Sequence, residues 1–177
     1  MQGIVYGTRT NEIKEESDYT RFDFDEAFGT AINRFCSQAI INHPLTIYGE
    51  GGQTRGFLAL VDSIQCISIL LENPAEQSEY RVVNQFDEQY NVTELAKKVQ
   101  YIGNKKGLDV KINQIENPRK EKEKHHYKAD HFKLKELGFK PTRKIDDEIS
   151  LMMDDLLVFK DRIEAKRDSI VKRLKWN

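Results

Sequence analysis

The chain has 177 residues, of which 28 are basic and 29 acidic, so its formal net charge is only −1. This balance argues against nucleic acid or an anionic membrane as a partner. No apolar run approaches the roughly 20 residues of a membrane-spanning helix, and the N-terminus lacks the features of a signal peptide. With 38% apolar residues, the composition predicts a cytoplasmic protein with one ordinary core.

The first half of the chain predicts a strand, a helix and two more strands. Residues 8–22 are polar and without a period, which is typical of a loop. From Asp23 onward apolar residues recur at steps of three and four, which predicts a helix with a wide apolar face. Asp23 and Asp25 would favour its positive N-terminal end, and His43-Pro44 would end it. The predicted strands are residues 3–6, 45–48 and 56–60.

The second half alternates helices and strands. One predicted helix has Ile64, Ile67 and Leu71 on one side, and another begins at Asn91 with Glu94 three residues on, as in a capping box. The last helix is followed by a charged tail that we expect to fray. The predicted helices are residues 62–71, 91–102, 130–137 and 145–163, and the predicted strands are residues 80–86 and 107–115. Such alternation indicates an α/β fold.

The two cysteines, Cys36 and Cys66, lie inside apolar stretches. This placement favours buried free thiols in a reducing compartment over a disulfide, and a disulfide over a catalytic role.

The segment "TIYGEGGQTRGF", residues 46–57, places three glycines and an arginine between two predicted strands. It lacks the Gly-Lys-Ser/Thr of a phosphate-binding Walker loop, and the strand that follows it excludes the dinucleotide-binding fingerprint. Spacing alone favours a hairpin loop with glycines at positive φ. The alternative is a loop that contacts phosphate, since the guanidinium of Arg55 could bind a phosphate through two hydrogen bonds.

Other polar groups suggest weaker hypotheses. His125, His126 and His131 could suggest a metal site, but their spacing matches no zinc motif, so we expect no metal. We also find no Ser-His-Asp or Cys-His set. The charge run around Arg119 and the aspartate pairs at 146–147 and 154–155 are typical of solvated surface.

Several segments together resemble the UDP-sulfoquinovose synthases, a branch of the NAD-dependent nucleotide-sugar epimerases and dehydratases in the extended short-chain dehydrogenase/reductase family. They are "QGIVYGTRT", "RFDFDEAFGTAINRFCSQA", "HPLTIYGEGGQTRGFLALVDSIQC", "YRVVNQFDEQYNVTELA", "NPRKEKEKHHYKADHFKLKELGFKP" and "FKDRI". The resemblance covers only the C-terminal half of such an enzyme. It implies a UDP-sugar-binding part at 1–163, a charged tail at 164–177, and the C-terminal, substrate-binding part of a Rossmann-type fold, which is α+β when taken alone.

The resemblance implies that the intact enzyme converts UDP-glucose and sulfite to UDP-sulfoquinovose through NAD-dependent 4-keto intermediates. In the family the N-terminal Rossmann half binds NAD and carries the catalytic Tyr-x-x-x-Lys pair. We therefore expect no catalytic or cofactor-binding residue in this chain, inactivity by itself, and that half as its partner, with a homodimer as a further expectation. The alternatives are another nucleotide-sugar epimerase or 4,6-dehydratase, or a non-catalytic UDP-sugar-binding module.

The family pattern also implies which residues would contact the nucleotide-sugar. By resemblance, Gln2 lies near the sugar, and Thr30 and Asn33 face the UDP from the start of a helix. Ile47 and Tyr48 would lie along the uracil.

The remaining implied contacts are to the diphosphate and the ribose. Arg55, with Gln53 beside it, and Arg119 would contact the phosphates. A carboxylate would hold the ribose, and Glu121 and Glu123 both remain open for that role.

Overall fold

Two small β-sheets and the helices packed on them make up residues 2–117 and 129–170, the part of the chain that the computed structural model describes. The strands are β1 Ile4–Tyr6, β2 Leu45–Tyr48, β3 Thr54–Ala59, β4 Glu88–Asn91 and β5 Ile112–Ile115. The helices are α1 Ala31–Ile40, α2 Leu60–Glu72, α3 Val92–Lys105, α4 Phe132–Glu136, α5 Ile145–Val158, α6 Lys160–Glu164 and α7 Arg167–Ile170, and Glu16–Asp18 form a 3₁₀ turn.

The glycine-rich loop crosses between the two sheets. The first sheet has the strand order β1-β3-β4, with β1 parallel and β4 antiparallel to β3, and the second consists of β2 parallel to β5. The two strands that flank the loop, β2 and β3, therefore pair with different partners. The predicted hairpin is wrong, although the strands themselves are confirmed.

The first sheet has a separate apolar cluster on each face. On β3, Phe57 faces the main core, which α1, α3 and α5 supply, while Leu58 belongs to a second cluster with Cys66 of α2 and Leu134 of α4. Adjacent side chains on a strand point to opposite faces, so β3 contributes to both. The architecture is α/β, as predicted.

The first helix begins eight residues later than its apolar periodicity predicts. The Asp25 carboxylate accepts hydrogen bonds from the backbone N–H groups of Ala27 and Phe28, both at 2.8 Å. A side chain that satisfies nearby backbone donors competes with the helix, so these residues form a turn. Phe28 is 73% exposed, and α1 begins after Thr30.

Residues 80–86, predicted as a strand, form none. Within the described part of the chain, their only strand-like pairing is a parallel bridge between Gln2 and Gln85. A strand requires a neighbour along its whole length, and residues 2–117 and 129–170 provide none for this segment. By contrast, β4 was not predicted. It forms because it pairs antiparallel with β3, so that Glu88 lies opposite Phe57 and Asn91 opposite Thr54.

The predicted apolar side of α2 lies at the surface. Ile64, Ile67 and Leu71 are 38%, 51% and 76% exposed. The buried residues are instead Asp62, Ser63 and Cys66. We call Ile64, Ile67 and Leu71 the α2 stripe.

The C-terminal helices differ from the single long helix that was predicted. Phe159 interrupts the helix between α5 and α6. Residues 164–170 of the predicted tail are packed, because Ile170 is fully buried in the main core and the Arg167 guanidinium donates to the Ile41 carbonyl at 2.7 Å, while residues 171–177 lie outside the described residues.

Both cysteines are buried free thiols, as predicted. Burial raises the pKa of Cys36 and of Cys66 to about 12, so neither is a reactive thiolate near neutral pH. None of the helices in the described ranges is both long and apolar enough to cross a membrane.

Candidate functional site

The glycine-rich loop is held at its first glycine by the end of β5. Gly49 has a φ of +61°, its N–H donates to the Ile115 carbonyl at 2.9 Å, and its carbonyl accepts from the Gln114 side chain at 2.6 Å. The loop therefore leaves β2 in a fixed direction.

The second glycine, Gly51, holds the loop against the start of α3. Its carbonyl accepts from the Thr93 N–H at 3.2 Å, and its φ is +68°. A Cβ atom there would lie 2.8 Å from Cγ2 of Ile47 and would also clash with the Thr93 hydroxyl. Only glycine fits this backbone and this space. The exposed Gly52 has no such neighbour.

Arg55 lies at the start of β3, directly after the loop. Its guanidinium donates to the carbonyl of Thr54 at 2.9 Å, and no carboxylate in residues 2–117 or 129–170 forms an ion pair with it. It is half-buried. A half-buried guanidinium of this kind retains donors for an anion.

The parallel pairing of β1 with β3 brings Gln2 to the same end of the sheet as Arg55, where both strands begin. Ile4 pairs with Phe57, and a Cβ built on Gly3 would lie 2.7 Å from the Gly56 carbonyl oxygen. Gln2 precedes Gly3 and Arg55 precedes Gly56. The backbones of Gln2 and Arg55 therefore lie next to each other. The Gln2 amide donates to the Ser63 hydroxyl at 2.8 Å.

The N-terminus of α1 carries no acidic side chain in its first turn. Thr30 is the N-cap, and its hydroxyl accepts from the Asn33 N–H at 3.3 Å. The Asn33 amide donates to the Asp23 carbonyl at 3.1 Å, while its Oδ1 is buried and has no hydrogen-bond partner in the described ranges. The positive end of the helix dipole is thus not neutralised by a side chain of its first turn.

Tyr48 ends β2 beside this helix. The Arg34 guanidinium, on the first turns of α1, lies 4.7 Å from the centre of the Tyr48 ring. The preceding residue, Ile47, is only 3% exposed and belongs to the main core, beneath Gly51. The Ile47 side chain therefore packs under the loop, and its contact with a ligand stays a prediction.

The structure thus forms two groups from the predicted site residues. Thr30 and Asn33 lie with Tyr48 around α1 and β2, and Gln2 lies with Arg55 at the end of the first sheet where β1 and β3 begin. Gln53 is half-buried in the loop. The other predicted residues, Arg119, Glu121 and Glu123, lie outside the described residues, as do His125 and His126.

Sequence reasoning missed Arg34. The only signal was its position: α1 buries eight of its ten residues, so a charge within it had to be buried with them.

Two carboxylates of α5 fix the backbone that follows β1. Asp155 accepts from the Thr8 hydroxyl at 2.6 Å and from the Arg9 guanidinium at 2.5 Å. Glu148 is 2% exposed and lies 3.4 Å from the Arg143 guanidinium; a Cβ on Gly7 would be 3.0 Å from its Oε2. Burial raises the pKa of Glu148 above its ordinary value, against the opposing effect of Arg143.

His131 packs edge-on against Phe86, with 4.4 Å between the ring centres. Burial, followed by the charge of Lys135, lowers its pKa. Within residues 2–117 and 129–170, no group of three His, Cys, Asp or Glu side chains is placed to hold a metal ion.

No protein-family model matches the chain. It is 51% identical over 176 residues to UDP-sulfoquinovose synthase of Sulfolobus acidocaldarius and 46% identical over 176 residues to the chloroplastic UDP-sulfoquinovose synthase of Spinacia oleracea. By sequence, the chain is a relative of the UDP-sulfoquinovose synthases. Each alignment covers 99% of the chain but only 45% and 36% of the two synthases, so the chain spans less than half the length of these relatives.

Solved structures of nucleotide-sugar enzymes share the fold. The UDP-glucose 4-epimerase of Thermotoga maritima, solved with UDP-glucose, matches 91% of this chain and 45% of its own with a TM-score of 0.68 at 18% identity. The UDP-glucuronic acid 4-epimerase of Bacillus cereus, solved with UDP-glucuronic acid and NAD, matches 93% and 44% with a TM-score of 0.63 at 23% identity. The chain therefore shares the α/β fold of the matched part of these nucleotide-sugar epimerases.

Proposed function

We propose that the chain is the UDP-sugar-binding part of a UDP-sulfoquinovose synthase, with UDP-glucose and sulfite as the substrates of the whole enzyme. The observation that carries this proposal is the guanidinium of Arg55, which has no carboxylate partner among the described residues and follows a loop fixed by two glycines. In a chain so similar to the synthases, this loop is best explained as a contact for the diphosphate.

Two positive features favour an anionic ligand at this site. The start of α1 has backbone donors and no acidic side chain, and Arg55 supplies donors from the first sheet. In a nucleoside diphosphate, the negative phosphates would bind to the start of α1 and to Arg55, and the base would stack on the Tyr48 ring. We assign Thr30, Asn33 and Tyr48 to the nucleoside side of the ligand and Arg55 to the diphosphate.

The redox chemistry belongs to the rest of the enzyme in this proposal. Hydride transfer requires a bound nicotinamide and a group that moves the proton of a sugar hydroxyl. The Bacillus cereus epimerase was solved with NAD, and we assign NAD binding and the catalytic tyrosine–lysine pair to an N-terminal Rossmann half. The chain by itself should be inactive, and a homodimer stays a prediction.

Three surface features support a contact with that half. The α2 stripe is exposed, β1 is an edge strand of the described sheet, and Tyr80 and Val82 are 92% and 46% exposed. The parallel bridge between Gln2 and Gln85 also sets a register in which residues 80–84 could pair with a strand that precedes Gln2. Parallel sheets are normally covered on both faces, which explains apolar side chains on this surface.

The test is UDP binding to Arg55→Gln, measured by titration calorimetry on the 177-residue chain. A lost charge-assisted hydrogen bond is worth about 1.5–3 kcal/mol, so we expect binding to weaken by about 10- to 100-fold. The matched control is Arg162→Gln, which removes an exposed arginine of α6. It should bind UDP as the unmodified chain does.

Two results would contradict the proposal. If the unmodified chain does not bind UDP, the site as a whole is wrong. If the chain binds UDP and Arg55→Gln does so equally well, the assignment of Arg55 to the diphosphate is wrong.

A further inference from the structure

We propose that Arg34 is a positioning residue of the nucleotide site, whose buried guanidinium holds the Tyr48 ring in place for the base. This inference rests on the proposed function, because it assigns Tyr48 to the base of a UDP-sugar. It concerns a residue that contacts the ligand only through another side chain.

Within the described ranges, the buried guanidinium of Arg34 has little polar compensation. The residue is 7% exposed, the single hydrogen bond of its guanidinium in the described ranges runs from Nη2 to the Thr46 carbonyl at 3.3 Å, and Nε is buried with no partner there. No carboxylate of the described residues pairs with it. Burial lowers its pKa, as expected for a cation taken out of water.

Two aromatic rings lie beside this guanidinium, for which residues 2–117 and 129–170 provide no carboxylate. The guanidinium lies 4.7 Å from the ring centre of Tyr48 and 5.4 Å from that of Phe35. Both distances are within the range of cation–π attraction, which is stronger when the pair is desolvated. Phe35 is fully buried, whereas Tyr48 is partly exposed, so the pair links the core to the site surface.

The neighbouring strand fixes Arg34 as well. The Thr46 N–H donates to Oε1 of Gln38 at 3.0 Å, and the Gln38 amide donates to the Thr46 hydroxyl. These bonds hold β2 against α1 at Thr46, the residue whose carbonyl accepts from Arg34. The orientation of Tyr48, two residues later, is therefore determined by buried and rigid groups.

A buried charge without a carboxylate normally lowers stability, and replacing it with an apolar group of similar shape is often neutral or stabilising. If Arg34 served only the fold, the chain would gain from losing it. Keeping Arg34 raises the affinity of the site, because a Tyr48 ring that is already held in place binds a base without the entropy cost of ordering the ring. The two effects of removing Arg34 should thus have opposite signs.

The experiment compares Arg34→Met and Arg34→Lys in the 177-residue chain by thermal melting and by titration with UDP and with uridine. Arg34→Met should melt at the same temperature or higher and bind both ligands about tenfold more weakly. Arg34→Lys keeps the charge but not the flat stack, so its affinity should lie between the two. Arg162→Met is the matched control and should change neither property.

A double substitution tests the route through Tyr48. Tyr48→Leu should weaken uridine binding, and adding Arg34→Met to it should weaken binding little further, because the ring that Arg34 holds is already gone. Fully additive losses would overturn the proposal.

The outcomes separate this inference from the proposed function. If the unmodified chain binds neither UDP nor uridine, the proposed function fails and the inference fails with it. If it binds both and Arg34→Met binds them equally well, only the inference fails. If Arg34→Met loses affinity together with a large drop in melting temperature, and Arg34→Lys restores neither, the role is structural and the inference is also overturned.

Discussion

The two faces of the β1-β3-β4 sheet differ in how completely this chain covers them. On one face Phe57 lies in a core that contains fully buried side chains of α1, α3 and α5, such as Phe35, Leu95 and Ile149. On the other face the cluster around Leu58 is small, and the α2 helix that covers it exposes its own stripe to solvent.

This difference shows that α2 has two apolar sides, one packed on the sheet and one exposed to solvent. Cys66 packs inward on the sheet, while Ile64, Ile67 and Leu71 face outward. A helix that is apolar on both sides is typical of an element placed between two layers. The well-covered face should therefore set the stability of the chain, and the exposed stripe should matter in its contact with the proposed Rossmann half.

The largest expected effect is a stability difference between two matched substitutions. Ile149→Ala removes a fully buried side chain from α5 and should lower the free energy of unfolding by about 2–5 kcal/mol. Ile67→Ala makes the same change on the α2 stripe and should stay within about 0.5 kcal/mol. Urea denaturation of the 177-residue chain measures both. Equal losses would show that the two faces do not differ.

The next largest effect should be on the binding of the chain to a Rossmann half. Ile67→Asp places a charge in an apolar contact, so its association with the N-terminal half of the Sulfolobus acidocaldarius relative should weaken at least about tenfold. Co-expression, co-purification and titration of the two pieces would measure this association.

The matched control for that measurement is Val158→Asp, which adds the same charge to a side chain of α5 that is 79% exposed. It should leave the association unchanged. Equal weakening by both variants, or by neither, would mean that the α2 stripe is not the contact surface.

The smallest expected effect is a pH dependence within the well-covered face. Burial raises the pKa of Glu148 above 4.5, so in the pH range just above 4.5 the folded chain binds a proton that the unfolded chain does not. The stability of the unmodified chain relative to Glu148→Gln should therefore rise as the pH is lowered from 7 towards 4.5. Urea denaturation at several pH values would show it, and a relative stability that falls over that range would mean that the ion pair with Arg143 outweighs the burial of the Glu148 carboxylate.

Local patterns in the sequence determined several features of the fold and the site. The helix from residue 92 begins as predicted, since Asn91 and Glu94 exchange hydrogen bonds with each other's backbone in a capping box. The apolar residues around Cys36 and Cys66 predicted buried free thiols. The closely spaced glycines before Arg55 predicted the loop. These features depend on residues within a turn or two of one another, so the sequence shows them directly.

Only the tertiary structure decided the rest. It placed β2 and β3 in different sheets, turned the α2 stripe outward, started α1 at Ala31 and put the Arg34 guanidinium beside Tyr48. Each of these depends on contacts between residues far apart in the chain. Periodicity shows that a helix has an apolar side, but only the packed neighbours determine whether that side, or a charge such as that of Arg34, is buried.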